Sequence, residues 1–160
     1  KAVLPGMRAR RSGCILNISS IAGIAPGLGW SAYGAAKHAV IGLTEVLAED
    51  VKSLGIKATV VAPGGFRTNF NNPDSVVFAE KQLEAYAGIR ATHERFSENS
   101  GHQKGDPDKA AKVMIELAEN PEPPVYLLLG TDAYERALKK LDLLNSEFTK
   151  SETITKSTDY

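Results

Sequence analysis

The sequence predicts an α/β fold in which three parallel strands alternate with helices. Three short apolar runs, at 14–18, 56–62 and 125–129, end at small polar residues, proline or glycine. Segments with the apolar spacing of helices stand between and after them. Strands and helices that alternate in this way form a parallel sheet with right-handed crossovers.

The first run predicts a strand that is buried on both faces and ends at a functional edge. Cys14 to Ile18 are mostly apolar, and Ser19 and Ser20 follow directly. In open parallel sheets, chemistry lies beyond the carboxyl ends of the strands. We expect Ser19 to be structural and Ser20 to be functional, because of its distance from Tyr33.

A long helix at about 31–54 places a tyrosine and a lysine on one face. Tyr33 and Lys37 are four residues apart, so their side chains share one side of the helix. An ammonium there favours the phenolate, which lets Tyr33 exchange a proton with an alcohol oxygen. Ser20, thirteen residues upstream, can hydrogen-bond the same oxygen. Taken alone, this tyrosine–lysine spacing is more often a solvated helix face.

The second apolar run predicts another buried strand, which stops abruptly. Pro63 and Gly64 end it, and Thr68 follows. Glycine lets the backbone approach a flat ligand closely, so this turn is a candidate binding loop. A Pro-Gly pair on its own indicates only a turn.

Residues 66–105 are polar and irregular, which is typical of a long functional loop. A helix is expected near 76–96. The basic side chains of this segment could meet an anionic group, but we expect them to be solvated. They are Arg67, Arg90, His93, Arg95 and His102.

The remaining sequence predicts a helix, the third strand and a final helix. Asp106 and Pro107 are typical of a helix start, because the carboxylate caps the first turn and proline fits its first position. Thr131 or Asp132 can cap the final helix. Its apolar residues lie along one side: Tyr134, Leu138, Leu141 and Phe148.

Composition favours an ordinary cytoplasmic protein. The 19 basic and 19 acidic side chains cancel, so neither nucleic acid nor a membrane surface is expected as a partner. No apolar run reaches the roughly 20 residues of a membrane span, and no signal peptide is visible. The single cysteine, Cys14, indicates a packed thiol in a reducing compartment. No cluster has metal-ligand spacing, and no metal is expected.

Three motifs follow one another along the chain: Asn17-Ile-Ser-Ser20, Tyr33-Gly-Ala-Ala-Lys37 and Pro63-Gly-Gly-Phe-Arg-Thr68. In order and spacing they resemble the classical short-chain dehydrogenase/reductase family, from Lys1 to about Gly130. The resemblance implies the C-terminal part of a Rossmann-like doubly wound parallel sheet, with three strands present. The resemblance also implies the C-terminal half of a single domain at 1–148, with a covering segment at about 66–105 that lies over the substrate. A polar, mobile tail is expected at 149–160.

The resemblance implies an oxidoreductase that transfers a hydride between NAD(P)(H) and a carbonyl or secondary alcohol substrate. Tyr33 would be the general acid/base, Lys37 would favour its phenolate and hold the nicotinamide ribose, and Ser20 would stabilise the substrate oxygen. The backbone after Pro63, with Thr68, would hold the nicotinamide carboxamide. The implied cofactor-binding residues are Tyr33, Lys37, Pro63, Gly64 and Thr68.

The first half of the family pattern is missing from this sequence. That half carries the glycine-rich turn for the cofactor pyrophosphate, the residue that selects NAD or NADP, and a catalytic asparagine. We therefore expect a fragment of a larger protein. Because its first strand would have an unpaired apolar edge, the fragment alone is expected to be poorly soluble or inactive.

The helix at 31–54 also carries a stripe of small residues, which lets another helix approach closely. The stripe comprises Ala35, Ala39, Gly42 and Val46. In the family this helix joins a bundle between subunits, so a homodimer or homotetramer is implied. Packing of the stripe against another part of the same protein is the alternative.

Two other functions stay open at this point. One is a catalytically silent relative that senses a cofactor or scaffolds a complex, although the intact Ser20, Tyr33 and Lys37 speak against it. The other is an epimerase or dehydratase of the extended type. Such proteins usually carry a larger C-terminal substrate domain than the stretch after Pro63 provides.

Overall fold

The fold is a three-stranded parallel sheet with helices packed on it. The computed structural model describes residues 2–72, 75–81 and 83–160. None of the helices in these ranges has the length and apolarity that crossing a membrane requires. Short 3₁₀ turns lie at Asn69–Asn71 and Glu84–Tyr86. In chain order the main elements are α1 Leu4–Arg10, β1 Gly13–Ile18, α2 Ile21–Ile24, α3 Ser31–Lys52, β2 Ile56–Pro63, α4 Ala87–Glu98, α5 Pro107–Glu119, β3 Tyr126–Leu129 and α6 Thr131–Lys156.

The strand order is β1-β2-β3 with both pairings parallel, which confirms the predicted fold class. β2 is central, and its Val60, Val61 and Ala62 are completely buried. In the described part of the chain β1 is an edge strand. Its side chains are half-buried or exposed, so the prediction of burial on both faces was wrong. A strand is fully enclosed only where neighbours also cover both of its edges.

Hydrogen bonds fix α3 against the carboxyl end of β1. Asn17 Nδ2 donates to Thr44 Oγ1 at 2.9 Å, and Ser19 Oγ donates to the Lys37 carbonyl oxygen at 2.7 Å. Ser19 and Thr44 are both buried. Ser19 therefore has a structural contact, and the first turns of α3 are held beside Ser20.

The helix predicted at 76–96 is shorter in the structure, where α4 begins at Ala87. Phe78 stacks on His93 with ring centroids 4.4 Å apart. In one continuous helix these residues would be roughly 22 Å apart, because each residue adds about 1.5 Å along the axis. The ring contact therefore requires the chain to fold back before α4.

α6 is longer than predicted and turns its apolar side outward. It continues through Lys156, so most of the segment expected to be a mobile tail is helical. A side-chain hydroxyl in this part bonds to the helix itself, because Thr149 Oγ1 donates a hydrogen bond to the carbonyl oxygen of Asn145. The helix packs through Ala133 and Ala137, which are buried. The residues predicted to share one side are all exposed: Tyr134, Leu138, Leu141 and Phe148.

A contact between α3 and β3 should make the free energy of unfolding fall at alkaline pH. The Tyr126 hydroxyl donates a hydrogen bond to Glu45 Oε1. Burial, this hydrogen bond and the carboxylate charge raise the pKa of Tyr126 to about 12. The pKa of a tyrosine in an unfolded chain is about 10, so the folded state holds this proton more tightly. The resulting contribution to the free energy of unfolding is complete below about pH 10 and is lost as the pH rises to about 12.

We expect Tyr126→Phe to remove this alkaline decline. Between about pH 10 and 12 the wild type should lose free energy of unfolding relative to the variant. Chemical denaturation across that pH range measures the difference in the free energy of unfolding. Groups that titrate in both proteins contribute equally and do not affect this difference. Tyr160→Phe, at an exposed tyrosine, should follow the wild type. If the free energy of unfolding of the wild type and of Tyr126→Phe changed with pH in parallel, the alkaline decline could not be assigned to Tyr126.

Candidate active site

A cavity of about 1050 Å³ lies at the carboxyl ends of β1 and β2. Its position agrees with the rule that parallel sheets bind ligands beyond these strand ends. The covering segment forms part of its wall through Phe70, Asn71, Thr92, Phe96 and Asn99. All the site residues predicted from the sequence also line it, namely Ser20, Tyr33, Lys37, Pro63, Gly64 and Thr68.

Ser20 lies at the junction between β1 and α2. It is the N-cap of α2, and its Oγ accepts a hydrogen bond from the Ala22 amide at 3.1 Å. Capping explains why a serine suits this position. The cap uses the oxygen as an acceptor and leaves the hydroxyl proton to be donated to a group in the cavity.

Tyr33 and Lys37 lie in the first two turns of α3, on the side that faces the cavity. Lys37 Nζ is 5.8 Å from the centroid of the Tyr33 ring. Lys37 also donates to the Ile18 carbonyl oxygen at 3.2 Å, at the end of β1. The lysine is thereby held between the strand end and the phenol, and it keeps further N–H donors.

Hydrogen bonds to β3 and to the start of α6 hold the loop after β2. The Gly64 amide donates to the Leu129 carbonyl oxygen, and the Gly65 amide donates to Asp132 Oδ2, both at 2.8 Å. A Cβ on Gly64 would collide with the Asp132 carboxylate, so a side chain there would displace this carboxylate from the Gly65 amide. Thr68 Oγ1 accepts from the Phe70 amide at 3.3 Å and so starts the next 3₁₀ turn.

Asp132 is a site-shaping residue that the sequence did not reveal. It had been predicted, with Thr131, as a possible cap of α6, but neither caps this helix. Gly130, at φ 97°, is the N-cap and makes no side-chain hydrogen bond. Its positive φ lets the chain turn sharply from β3, which brings Asp132 to the amide of Gly65.

An aromatic cluster connects α3 with the covering segment. The Trp30 ring lies 6.2 Å from Tyr33, 5.1 Å from His93 and 4.7 Å from Phe96, centroid to centroid. Phe70 lies 5.9 Å from Tyr33. Phe70 and Phe96 were not singled out from the sequence, because their spacing from Tyr33 along the chain carries no helical or strand signal.

Among the described residues, the charged groups that line the cavity are all cationic. They come from α3 and α6: Lys37, Arg136, Lys139 and Lys140. The five basic residues of the covering segment that were considered from the sequence do not line it. Instead, Arg67 Nε donates to the Gln103 carbonyl oxygen at 2.6 Å, and His93 stacks on Phe78.

Comparison with known proteins relates this site to one family. A short chain dehydrogenase family model matches residues 1–76. An oxidoreductase of Botryotinia fuckeliana is 40% identical over 147 residues, which cover 91% of this chain and 53% of that protein. A 3-ketodihydrosphingosine reductase of Bacteroides thetaiotaomicron is 35% identical over 132 residues, covering 81% of this chain and 48% of that protein.

Solved structures agree with this relationship. A short-chain dehydrogenase from Streptomyces avermitilis has a TM-score of 0.85 at 36% identity, covering 99% of this chain and 57% of that one. A serine dehydrogenase complexed with NADP+ has a TM-score of 0.59 at 27% identity, covering 80% of this chain and 48% of that one.

The fold and the similarities define a Rossmann-like α/β protein. The chain belongs to the short-chain dehydrogenase/reductase family, which confirms the resemblance seen in its motifs. It spans about half the length of the curated relatives that it matches.

Proposed function

We propose that the protein is an oxidoreductase that transfers a hydride between NAD or NADP and a carbonyl or secondary alcohol. One observation carries the proposal: Ser20, Tyr33 and Lys37 line the same cavity as the loop after Pro63. Oxidoreductases among the relatives, and a neighbour that is complexed with NADP+, support the reaction class and the cofactor.

The side chains supply a path for one proton and a site for developing negative charge. Tyr33 gives its proton to the substrate oxygen during reduction and takes it back during oxidation. The Lys37 ammonium lies 5.8 Å from the centroid of the Tyr33 ring, so its positive charge is close to the negative charge that develops when the phenol gives up its proton. Ser20, whose oxygen is already fixed by the Ala22 amide, donates its hydroxyl proton to the same substrate oxygen.

The residues of the cavity fit the nicotinamide end of such a cofactor. Gly64 and Gly65 present backbone without side chains, so a flat ring can lie close to the loop. Thr68 borders the same side, and Lys37 retains N–H donors for a sugar hydroxyl. When bound, the cofactor supplies or accepts the hydride.

The test is a turnover assay of the full-length protein with NADH and NADPH against a panel of ketones and aldehydes. Loss of reduced-cofactor absorbance that depends on a carbonyl substrate supports the proposal. Cofactor binding without turnover favours the silent relative. Product formation without net consumption of cofactor favours the epimerase or dehydratase.

A homo-oligomer through α3 is part of the proposal. The stripe of small residues on this helix is exposed at Ala35, Ala39 and Val46, and Leu43 beside it is 62% exposed. A Cβ built on Gly42 would meet nothing within 4 Å. This face therefore has room for a second helix to pack closely.

We expect Ala39→Arg to dissociate the oligomer, because the long charged side chain would fill the space that the partner helix needs. Light scattering of the full-length protein measures its molar mass. Glu49→Arg, at an exposed position on the polar side of the same helix, is the matched control. A fully oligomeric Ala39→Arg protein would place the interface elsewhere.

We also propose a cytoplasmic location, from the state of the single cysteine. Burial raises the pKa of the Cys14 thiol, and the charge of Lys57 offsets part of that effect. A lone, partly buried thiol with no second cysteine in the sequence to form a disulfide is typical of a reducing compartment.

A further inference from the structure

Gln103 is a buried polar side chain that the fold leaves without partners. It is 4% exposed, and within the described residues neither Oε1 nor Nε2 makes a hydrogen bond. The other buried polar side chains of the described ranges all bond to neighbours: Ser19, Thr44, Thr59 and Asn71. A buried amide without partners is unfavourable, so its presence requires an explanation.

The backbone around Gln103 is attached to the loop after β2. The Gln103 carbonyl oxygen accepts from Arg67 Nε at 2.6 Å. Two residues later, the Gly105 amide donates to the Gly65 carbonyl oxygen at 3.0 Å, and the Arg67 amide donates to Gly105 at the same distance. Gln103 is therefore fixed beside this loop, independently of its own amide.

The side chain of Gln103 lies against Gly65 and lines the cavity. Its Cγ would be 3.6 Å from a Cβ placed on Gly65. Gln103 shares the cavity with Gly64, Thr68 and Tyr33. The missing side chain of Gly65 thus leaves the amide of Gln103 next to the proposed nicotinamide site.

We propose that Gln103 is a cofactor-contacting residue whose amide turns into the cavity and pairs with the carboxamide of the nicotinamide. A carboxamide has both donors and an acceptor, and another carboxamide matches it with two hydrogen bonds at once. Turning the Gln103 amide breaks no hydrogen bond, since it makes none in the ligand-free arrangement. The inference rests on the proposed function.

The first test replaces Gln103 with methionine, which keeps the length of the side chain and removes the amide. Tm of the ligand-free full-length protein should stay the same or rise, because an unpaired buried amide is lost. Kd for the reduced cofactor should rise about five- to tenfold, as expected for lost hydrogen bonds. Thermal unfolding and fluorescence titration measure the two quantities.

Thr59→Val is the matched control for a buried polar group that does have a partner. Thr59 is completely buried, and its Oγ1 donates to the Pro124 carbonyl oxygen at 2.7 Å. It does not line the cavity. The variant should lower Tm and leave Kd unchanged, which is the opposite of the pattern expected for Gln103→Met.

A cofactor analogue identifies the group that Gln103 contacts. In this analogue an acetyl group replaces the carboxamide of the nicotinamide, so the N–H donors are gone. The wild type should prefer the normal cofactor, and Gln103→Met should lose much of that preference. A lower Tm for Gln103→Met, or a preference that survives the substitution, overturns the inference. Failure of the wild type to bind either cofactor overturns the proposed function with it.

Discussion

Tyr33→Phe is expected to reduce kcat of the full-length protein by about 10²–10⁴-fold, the usual contribution of a general acid/base. The substitution removes the proton that the substrate oxygen exchanges and keeps the ring. Contacts of that ring with Trp30 and Phe70 remain possible, so Tm should change little. Cofactor Kd should be largely unchanged, because Lys37 and the loop after Pro63 are untouched.

Steady-state kinetics, cofactor titration and thermal unfolding together test this expectation. Tyr134→Phe is the matched control, since Tyr134 is exposed on α6 and does not line the cavity. A Tyr33→Phe protein with the kcat of the wild type would refute the catalytic role of the phenol. A collapse of Tm would show instead that the hydroxyl is structural.

Gly23→Ala is expected to have the second-largest effect, through packing. A Cβ on Gly23 would lie 2.8 Å from the carbonyl carbon and oxygen of Lys37 and 2.9 Å from Ile41 Cδ1. Backbone atoms cannot turn aside, so α2 must move away from α3. We expect a loss of about 1–3 kcal/mol in the free energy of unfolding, typical of overpacking.

The same displacement should reduce turnover. Ser20 caps α2, so it moves with that helix relative to Tyr33 and Lys37. A misplacement of about 1 Å can cost on the order of 10²-fold in rate. Chemical denaturation and kcat measure the two effects. Gly6→Ala, where the nearest atom is the tip of the flexible Arg10 side chain, should leave kcat unchanged and should not lower the free energy of unfolding. A Gly23→Ala protein with wild-type stability would contradict the close packing of α2 on α3.

Local rules were enough to place the candidate catalytic residues. Helical spacing puts Tyr33 and Lys37 on one face, and the strand-end rule puts Ser20 beside them. The cavity brings these three residues together with Pro63, Gly64 and Thr68. Their chemical roles stay predictions until the variants are measured.

Features that depend on distant parts of the chain could not be predicted. Asp132 reaches the Gly65 amide across 67 residues of sequence, and the local sequence indicates only a possible helix cap there. The stacking of Phe78 on His93 requires the chain to fold back before α4, and such tertiary packing leaves no helix or strand signal in the sequence. Gln103 has no motif around it, and its importance appears only once burial and missing partners are known.

The aromatic cluster also gives the protein a natural optical probe. Trp30 is the only tryptophan in the sequence, and it stands beside the candidate catalytic tyrosine. Its ring also lies close to the rings of Phe78, His93 and Phe96, all from the segment at 66–105. Opening of that segment would expose the indole to water and shift its emission to longer wavelength. Tryptophan fluorescence would therefore report any movement of the covering segment without an added label.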